Sequence, residues 1–317
     1  MVRRFGRIVL VLLAALVAGA GLVAAIYWEP DRPVAALVGR WAPPPSQFVE
    51  LGGMSVHLRD EGDRADPCPI LLLHGTSASL HTWDGWTRRL LPRRVIRLDL
   101  PGFALTGPRP DGDYSFPAYV AFLRALLDRL GVERCVVAGN SFGGNLAWQL
   151  ALADSARVRG LVLVDAGGYP ASSQSVPLGF RVARLPVLNR LAASILPRSL
   201  IESSLRNVYG DPAKIDAELI DRYFETTLRE GNRRALVQRF QQAKPGYLSE
   251  RIPEITVPTL ILWGGRDRLI PPENGQNFAR DIRGSRLQVF PTLGHVPHEE
   301  DPAATVAPVL AFLAGAP

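Results

Sequence analysis

The chain has 317 residues, of which 36 are Lys or Arg and 30 are Asp or Glu, giving a formal net charge of +6. Apolar residues make up 47% of the chain, which is too many for a disordered protein, and the length suits one large domain with an insertion or two modest domains. Two cysteines exclude a disulfide-built scaffold and a multi-cysteine zinc ribbon. The positive charges are dispersed, so nucleic acid is not expected as a partner.

The N-terminal 30 residues predict a membrane anchor. Ile8–Tyr27 contains 20 residues without a charge, and a helix of that length spans roughly the 30 Å of a hydrocarbon core. Arg3, Arg4 and Arg7 precede it, so the positive-inside rule predicts a single-pass protein whose bulk lies on the non-cytoplasmic side. The alternative is a signal peptide cleaved after the A-x-A form at Ala18–Ala20, which would leave a secreted or periplasmic protein. The length of the uncharged run favours the anchor.

Residues 31–47 are rich in proline and predict a semi-rigid linker. After it, short apolar runs alternate with helix-length amphipathic stretches, a pattern typical of a mainly parallel α/β sheet. The predicted strands are Ser55–Asp60, Pro69–His74, Val95–Asp99, Cys135–Asn140, Gly160–Asp165, Pro258–Trp263 and Arg286–Phe290. The predicted core therefore comprises residues 48–169 and 258–317.

Residues 170–257 interrupt this alternation, because no β-like run occurs there and the pattern is helical. The segment carries 13 basic and 9 acidic side chains. A helical insertion between two strands of an α/β sheet is well placed to cover a site at the sheet edge, so we expect a helical lid over residues 170–257.

The motif Gly139-Asn-Ser141-Phe-Gly143 lies between a predicted buried strand and a predicted helix. It matches G-x-S-x-G, in which serine occupies a tight strand-to-helix turn. Glycine is needed on both sides because a Cβ there would collide with neighbouring backbone. Ser141 is therefore the candidate nucleophile, and the Phe142 amide at the helix N-terminus is a candidate oxyanion donor. The alternative is a glycine-rich turn without a catalytic role.

A serine nucleophile needs a base and an acid that orients the base. His295 is the best of five histidines, because Gly294-His295 follows the last predicted strand at the sheet edge where Ser141 emerges. His57, on the early strand, is expected to face solvent. Asp267 follows the strand Pro258–Trp263 and is the favoured acid, whereas Asp165 ends the preceding strand and is the alternative.

An oxyanion hole requires a second amide donor. The sharp turn at His74-Gly75-Thr76 follows another central strand, which points to the Thr76 N–H, with Ser77 as the alternative. The order Ser141, Asp267, His295 along the chain is that of the α/β-hydrolase arrangement.

The stretches HGTSASLHTW, DLPGFALTGP, GNSFGGN, LVLVDAGGYP, LILWGGRDRLIPP and GHVPHEEDP resemble the lid-bearing α/β-hydrolase superfamily, and the resemblance covers residues 48–314. It implies an α/β-hydrolase fold with a mostly parallel eight-stranded sheet and a helical lid between strands 6 and 7. Members include ester and monoacylglycerol lipases, carbon–carbon bond hydrolases, haloalkane dehalogenases and epoxide hydrolases. The last two classes use an aspartate nucleophile, whereas this chain has Ser141.

These features predict a serine hydrolase that cleaves apolar or lipid-like carboxylic esters through an acyl-enzyme, without a metal or organic cofactor. A carbon–carbon bond or amide hydrolase with the same triad is the alternative. A non-catalytic hydrolase-like binding protein is a third hypothesis, which the combination of Ser141, Asp267 and His295 disfavours.

Overall fold

A computed structural model describes residues 2–170, 173–185 and 194–315. The predicted anchor includes residue 1, the predicted lid includes residues 171–172 and 186–193, and the predicted core includes residues 316–317. These positions lie outside the described residues.

The described chain contains an eight-stranded sheet in the order β1-β2-β4-β3-β5-β6-β7-β8. The strands are β1 (Gln47–Leu51), β2 (Met54–Glu61), β3 (Ile70–Leu73), β4 (Val95–Leu98), β5 (Cys135–Asn140), β6 (Val158–Val164), β7 (Thr259–Gly264) and β8 (Arg286–Phe290). The pairs β1·β2 and β2·β4 are antiparallel, and the remaining pairs are parallel. The predicted α/β-hydrolase fold with a mostly parallel eight-stranded sheet is confirmed. Strand β1 was not predicted, because it is a short, largely exposed edge strand.

The described helices are α1 (Val2–Ile26), α2 (Val34–Trp41), α3 (Asp84–Leu90), α4 (Phe116–Arg129), α5 (Phe142–Ala153), α6 (Leu178–Arg184), α7 (Arg198–Val208), α8 (Ala217–Thr227), α9 (Asn232–Gln242), α10 (Glu273–Asp281), α11 (Pro297–Glu300) and α12 (Pro302–Gly315). Helices α6–α9 lie between β6 and β7, and we refer to them as the inserted helices.

The central strands are buried on both faces. In β3, Leu71 and Leu73 join the core on one side of the sheet, whereas Ile70 and Leu72 join the core on the other. This alternation follows from the two-residue period of a strand, and helices on both faces explain why β3 and β5 are apolar runs instead of alternating ones. All parallel strands therefore end at one common edge, where loops carry the candidate site residues.

The proline-rich segment contains a helix that we did not predict. In α2, Leu37 and Trp41 lie one turn apart, are buried, and pack against Leu105. The Trp41 indole N–H donates to Glu225 of α8 at 2.7 Å. The segment is thus anchored on the core and on the inserted helices, although its prolines indicated a spacer.

The predicted location as a single-pass membrane protein is wrong. A spanning helix needs about 20 consecutive, predominantly apolar residues to match a hydrocarbon core of about 30 Å. Among the residues that the structure describes, no helix meets this requirement of length and apolarity. The N-terminal anchor and the membrane partner that were expected from the sequence are withdrawn with it.

Candidate active site

Ser141 lies in a tight turn between β5 and α5, with a backbone φ of 55°. Two glycines make this turn possible. A Cβ on Gly139 would lie 2.3 Å from the carbonyl oxygen of Gly143, and a Cβ on Gly143 would lie 2.2 Å from that of Leu73. Because the backbones touch at both points, only glycine fits, and the turn projects Ser141 at the carboxyl edge of the sheet.

The side chains of His295 and Asp267 are joined by a hydrogen bond of 2.6 Å between Nδ1 and Oδ2. The other oxygen of Asp267, Oδ1, accepts hydrogen bonds from the backbone amides of Leu269 and Ile270 at 2.8 and 2.9 Å. These bonds hold the carboxylate in place independently of its bond to the imidazole. Both side chains are buried. With Nδ1 donating to Asp267, Nε2 is the nitrogen left to accept a proton.

The loop that carries His295 is held against the serine turn. Asn140, which immediately precedes Ser141, donates its side-chain amide to the His295 carbonyl at 2.9 Å. Ser141 and His295 also line the same cavity. The structure therefore brings together the three residues that the sequence named, from the ends of β5, β7 and β8.

Asp165, the alternative acid, lies beside Asp267 and does not contact the imidazole through a hydrogen bond. Its Oδ1 accepts the Gly264 amide at 2.9 Å. Complete burial, and then the adjacent charge of Asp267, raise the pKa of Asp165 well above its usual value. Burial and the neighbouring carboxylate thus favour the protonated form of Asp165, which makes it less suited than an ordinary aspartate to hold a protonated imidazole.

A metal ion could also be held at this position. The potential ligand atoms of Asp165, Asp267 and His295 lie within 4.8 Å of one another. Two of those atoms are joined in the hydrogen bond between Asp267 and His295. That bond suits an acid–base pair in which the carboxylate orients the imidazole.

The candidate oxyanion donors belong to two segments next to Ser141, the turn at Gly75–Thr76 and the start of α5. Gly75 is so close that a Cβ on it would be 3.2 Å from the Ser141 Cβ. Within the described residues the Thr76 amide donates to no protein acceptor. Phe142 is the first residue of α5, so its N–H has no acceptor within the helix. Both amides are available to a ligand at Ser141. The alternative, Ser77, lines the same cavity.

A cavity of about 590 Å³ opens over Ser141 and His295. Apolar side chains of the inserted helices and adjoining loops form most of its wall: Leu178, Phe180, Val182, Ala183, Ile195, Leu196, Leu200, Ile201, Leu205, Leu236 and Val237. Arg233 is the one Asp, Glu, Lys or Arg side chain among the described residues that line the cavity. Two of its nitrogens bind Asp31, at 2.6 and 3.1 Å, while Nη1 is buried without a partner.

Comparison with known proteins shows the family to which this fold belongs. The model of the Alpha/beta hydrolase family matches residues 70–309. The chain belongs to the α/β-hydrolase family. A curated relative from Pseudomonas putida, 2-hydroxy-6-oxononadienedioate/2-hydroxy-6-oxononatrienedioate hydrolase 2, is 31% identical over 76% of this chain and 85% of its own. Another, 2-hydroxy-6-oxo-2,4-heptadienoate hydrolase from Pseudomonas putida, is 30% identical over 78% of this chain and 89% of its own.

Among solved structures, this α/β hydrolase is similar to one described as a membrane phospholipase A and bacterial virulence factor. The two superpose with a TM-score of 0.72 and 26% identity, over 99% of this chain and 98% of the other. The sequence and the fold therefore place this chain among hydrolases whose named activities differ.

This α/β hydrolase also contains a second row of Asp, His and Ser that the sequence analysis missed. His57, which we expected to face solvent, is fully buried. Its Nδ1 donates to Asp99 at 2.7 Å, and the Ser46 hydroxyl lies 2.9 Å from its Nε2. The Asp99 carboxylate also accepts the amides of Leu80 and Leu105. Pairing of β2 with β4 brings His57 and Asp99 together, so sheet register was the signal that could have found them.

The row of Asp99, His57 and Ser46 lacks the open cavity and the unhindered hydroxyl expected of a catalytic triad. Arg59 donates to the Ser46 hydroxyl oxygen at 2.9 Å, which draws electron density from the would-be nucleophile. Neither Ser46 nor His57 lines the apolar cavity. Although burial opposes ionisation, the neighbouring His57 lowers the pKa of Asp99. We interpret this row as a structural brace among β2, β4 and the following loops.

The raised pKa of Asp165 predicts a pH-dependent stability that its replacement by asparagine should remove. An unfolded aspartate loses its proton near pH 4, whereas the native Asp165 keeps it to higher pH, so the native state binds more protons. The free energy of unfolding should then fall as the pH rises above about 4, by at most about 1.4 kcal/mol per pH unit for this group. Urea unfolding at pH 5, 7 and 8.5 should show a flatter decline for Asp165→Asn. Equal slopes in the two proteins would contradict the assignment.

Proposed function

We propose that this protein is a serine hydrolase that cleaves carboxylic esters with an apolar acyl chain. The observation that carries the proposal is the cavity of about 590 Å³, walled by aliphatic side chains, directly over Ser141 and His295. Each methylene of a substrate that enters such a wall contributes about 0.8 kcal/mol of binding free energy. An ester with a long hydrocarbon chain fits this site better than a small polar ester does.

The proposed reaction is acyl transfer. Nε2 of His295 takes the proton of the Ser141 hydroxyl, whose oxygen attacks the ester carbonyl, while Asp267 stabilises the imidazolium. The amides of Thr76 and Phe142 donate to the oxyanion. His295 returns the proton to the leaving alcohol, and a water activated by the same imidazole then hydrolyses the acyl-enzyme. No cofactor enters these steps.

We further propose that the inserted helices act as a lid. Residues 170–257 would then cover a core made of residues 48–169 and 258–317, as the sequence suggested. The support is that most of the cavity wall comes from these helices, whereas Ser141 and His295 come from the core. Substrate choice would therefore be set by the insertion and the chemistry by the sheet edge.

Carbon–carbon bond hydrolysis is the second candidate. The curated relatives reported above are named for 2-hydroxy-6-oxo acids, which carry a carboxylate. The specific observation in its favour is Arg233, the one charged side chain among the described residues that line the cavity, which could donate to such a carboxylate. An amide hydrolase would use the same triad, and no feature of the cavity favours it.

A substrate comparison separates the two candidates. For the ester hydrolase, kcat/KM should rise from p-nitrophenyl butyrate to p-nitrophenyl dodecanoate and exceed that for a 2-hydroxy-6-oxo-dienoate by at least about 100-fold. Higher kcat/KM on the dienoate would instead establish the second candidate. In that case Arg233→Met should raise KM for the dienoate without changing KM for a neutral ester.

Narrowing the cavity should shorten the preferred acyl chain. Leu200→Trp places a larger ring in the α7 wall, and we expect kcat/KM for the dodecanoate to fall about tenfold while that for the butyrate stays within about twofold, since each excluded methylene loses about 0.8 kcal/mol. Leu185→Trp is the matched control, because Leu185 is exposed and lies outside the cavity wall. An equal loss on both esters would argue against an acyl site at this wall.

A further inference from the structure

Arg239, on α9, is a buried arginine without an acidic partner. Its residue surface is 7% exposed, and no carboxylate pairs with it among the described residues. The guanidinium carbon lies 4.5 Å from the ring centre of Phe142, 4.7 Å from that of Phe240 and 5.7 Å from that of Phe103. Three aromatic faces therefore surround this cation where an ion pair would be expected.

Burial lowers the pKa of Arg239 to about 10, which still leaves the side chain protonated at neutral pH. The protein thus keeps the positive charge of Arg239 in its interior, against the ring of Phe142, the residue after Ser141. The Nε of Arg239 is buried without a hydrogen-bond partner. Aromatic faces offset part of the cost of desolvating the charge, but they do not neutralise it. A buried charge of this kind is compensated most fully when negative charge develops nearby.

Among the described residues, Arg239 makes one side-chain hydrogen bond, and it leads to the candidate oxyanion region. Its Nη2 donates to the Thr76 hydroxyl oxygen at 3.0 Å. A threonine hydroxyl has one proton to donate and two lone pairs to accept with, so acceptance from Arg239 leaves its proton free to point elsewhere. No protein acceptor takes that proton within the described residues, and Thr76 lines the cavity with Ser141 and His295.

We propose that the Thr76 hydroxyl is a third oxyanion donor, beside the Thr76 and Phe142 amides, and that Arg239 is the positioning residue that turns this hydroxyl toward the reacting carbonyl. This inference rests on the proposed function, because it needs a tetrahedral intermediate at Ser141. The hydrogen bond from a cation polarises the O–H group and strengthens its donation. Orientation before the reaction matters, since a donor that is already aimed needs no reorganisation in the transition state.

The test uses Thr76→Val and Arg239→Met, singly and together, in the full chain. Thr76→Val removes the hydroxyl and keeps the amide, and kcat for a p-nitrophenyl ester should fall on the order of 10²-fold with little change in KM. Arg239→Met should lower kcat by at least about tenfold, and the double variant should be no slower than Thr76→Val alone. Thr76→Ser restores a hydroxyl and should be at least about tenfold faster than Thr76→Val.

A transition-state analogue provides a readout that a merely structural role would not change. A trifluoromethyl ketone with an alkyl chain forms a hemiketal oxyanion on Ser141, whereas the matching alkyl alcohol binds without one. In Thr76→Val and in Arg239→Met, the inhibition constant of the ketone should rise at least about tenfold, and that of the alcohol should stay within about twofold of its value in the unmodified protein. Arg184→Met is the matched control, because Arg184 also stacks on Phe240 but is exposed and makes no bond to Thr76.

The outcomes separate this inference from the proposed function. Independent, multiplying losses in the double variant would show that Arg239 does not act through the Thr76 hydroxyl and would overturn the inference. Unchanged kcat in Thr76→Val would do the same while Ser141→Ala remained inactive. If Ser141→Ala itself retained full ester turnover, the proposed function would fail first.

Discussion

Replacing Ser141 with alanine is expected to lower kcat for p-nitrophenyl butyrate on the order of 10⁵-fold, because loss of the nucleophile removes the acyl-enzyme route altogether. The variant should fold, because the turn depends on backbone contacts and not on the Ser141 side chain, and alanine is smaller than serine. Turnover should be measured together with labelling of the intact protein by a fluorophosphonate probe, which reacts covalently with an activated serine. We expect no label on the variant.

Ser46 supplies the matched control for this experiment. It is the serine of the second Asp–His–Ser row, with a histidine 2.9 Å away, so it tests whether such a row alone activates a hydroxyl. Ser46→Ala should keep both turnover and labelling. If Ser141→Ala still reacted with the probe and the double replacement did not, the second row would be the reactive one. Absence of labelling in the unmodified protein would support a non-catalytic binding protein.

Replacing Asp267 with asparagine should lower kcat on the order of 10⁴-fold, because an amide can hold His295 in the tautomer that places a proton on Nε2. It would also leave the imidazolium of the transition state without a counter-charge. Asp165→Asn should cost less than about tenfold in kcat, since an asparagine resembles the protonated carboxyl, the form that burial and the adjacent Asp267 favour at position 165. Each variant replaces one carboxylate oxygen with an amide nitrogen, and the two positions are adjacent in space, so the variants are matched in size and location.

Steady-state kinetics over a range of pH should distinguish the two acids. The two variants should differ in kcat/KM by at least about 100-fold at every pH from 6 to 9, with circular dichroism used to confirm that both remain folded. A larger loss in Asp165→Asn than in Asp267→Asn would assign the orienting role to Asp165, which the sequence left as the alternative. Equal losses would indicate that the carboxyl pair acts as a unit.

Predictions from the sequence succeeded where the signal was local. The turn at Ser141 follows from glycines two residues away on each side, and the contacts of Gly139 and Gly143 bear out the steric argument. The central strands were found because burial on both faces makes them continuous apolar runs. Asp267 could be named as a candidate because it lies in the loop after the buried strand β7, and His295 because it lies in the loop after the last strand, β8, which is largely exposed.

Features that depend on partners far along the chain were missed or misjudged. His57 was expected to face solvent, because the pairing of β2 with β4 that buries it against Asp99 leaves no mark within the strand itself. Helix α2 was interpreted as a spacer, since its two buried residues acquire a partner only when the core and α8 are in place. Nothing in the sequence distinguishes Arg239 from the other dispersed arginines, because the three aromatic rings around it come from separate parts of the chain.

By itself the sequence determined that this is an α/β hydrolase and named a candidate nucleophile, base and acid, because turns and buried strands are encoded within a few residues. Only the tertiary structure showed that burial raises the pKa of Asp165, that Arg239 donates to the Thr76 hydroxyl oxygen, and that aliphatic side chains wall the cavity. Those properties depend on distance and desolvation in space, and side chains separated by more than a hundred residues acquire both only when the chain is folded.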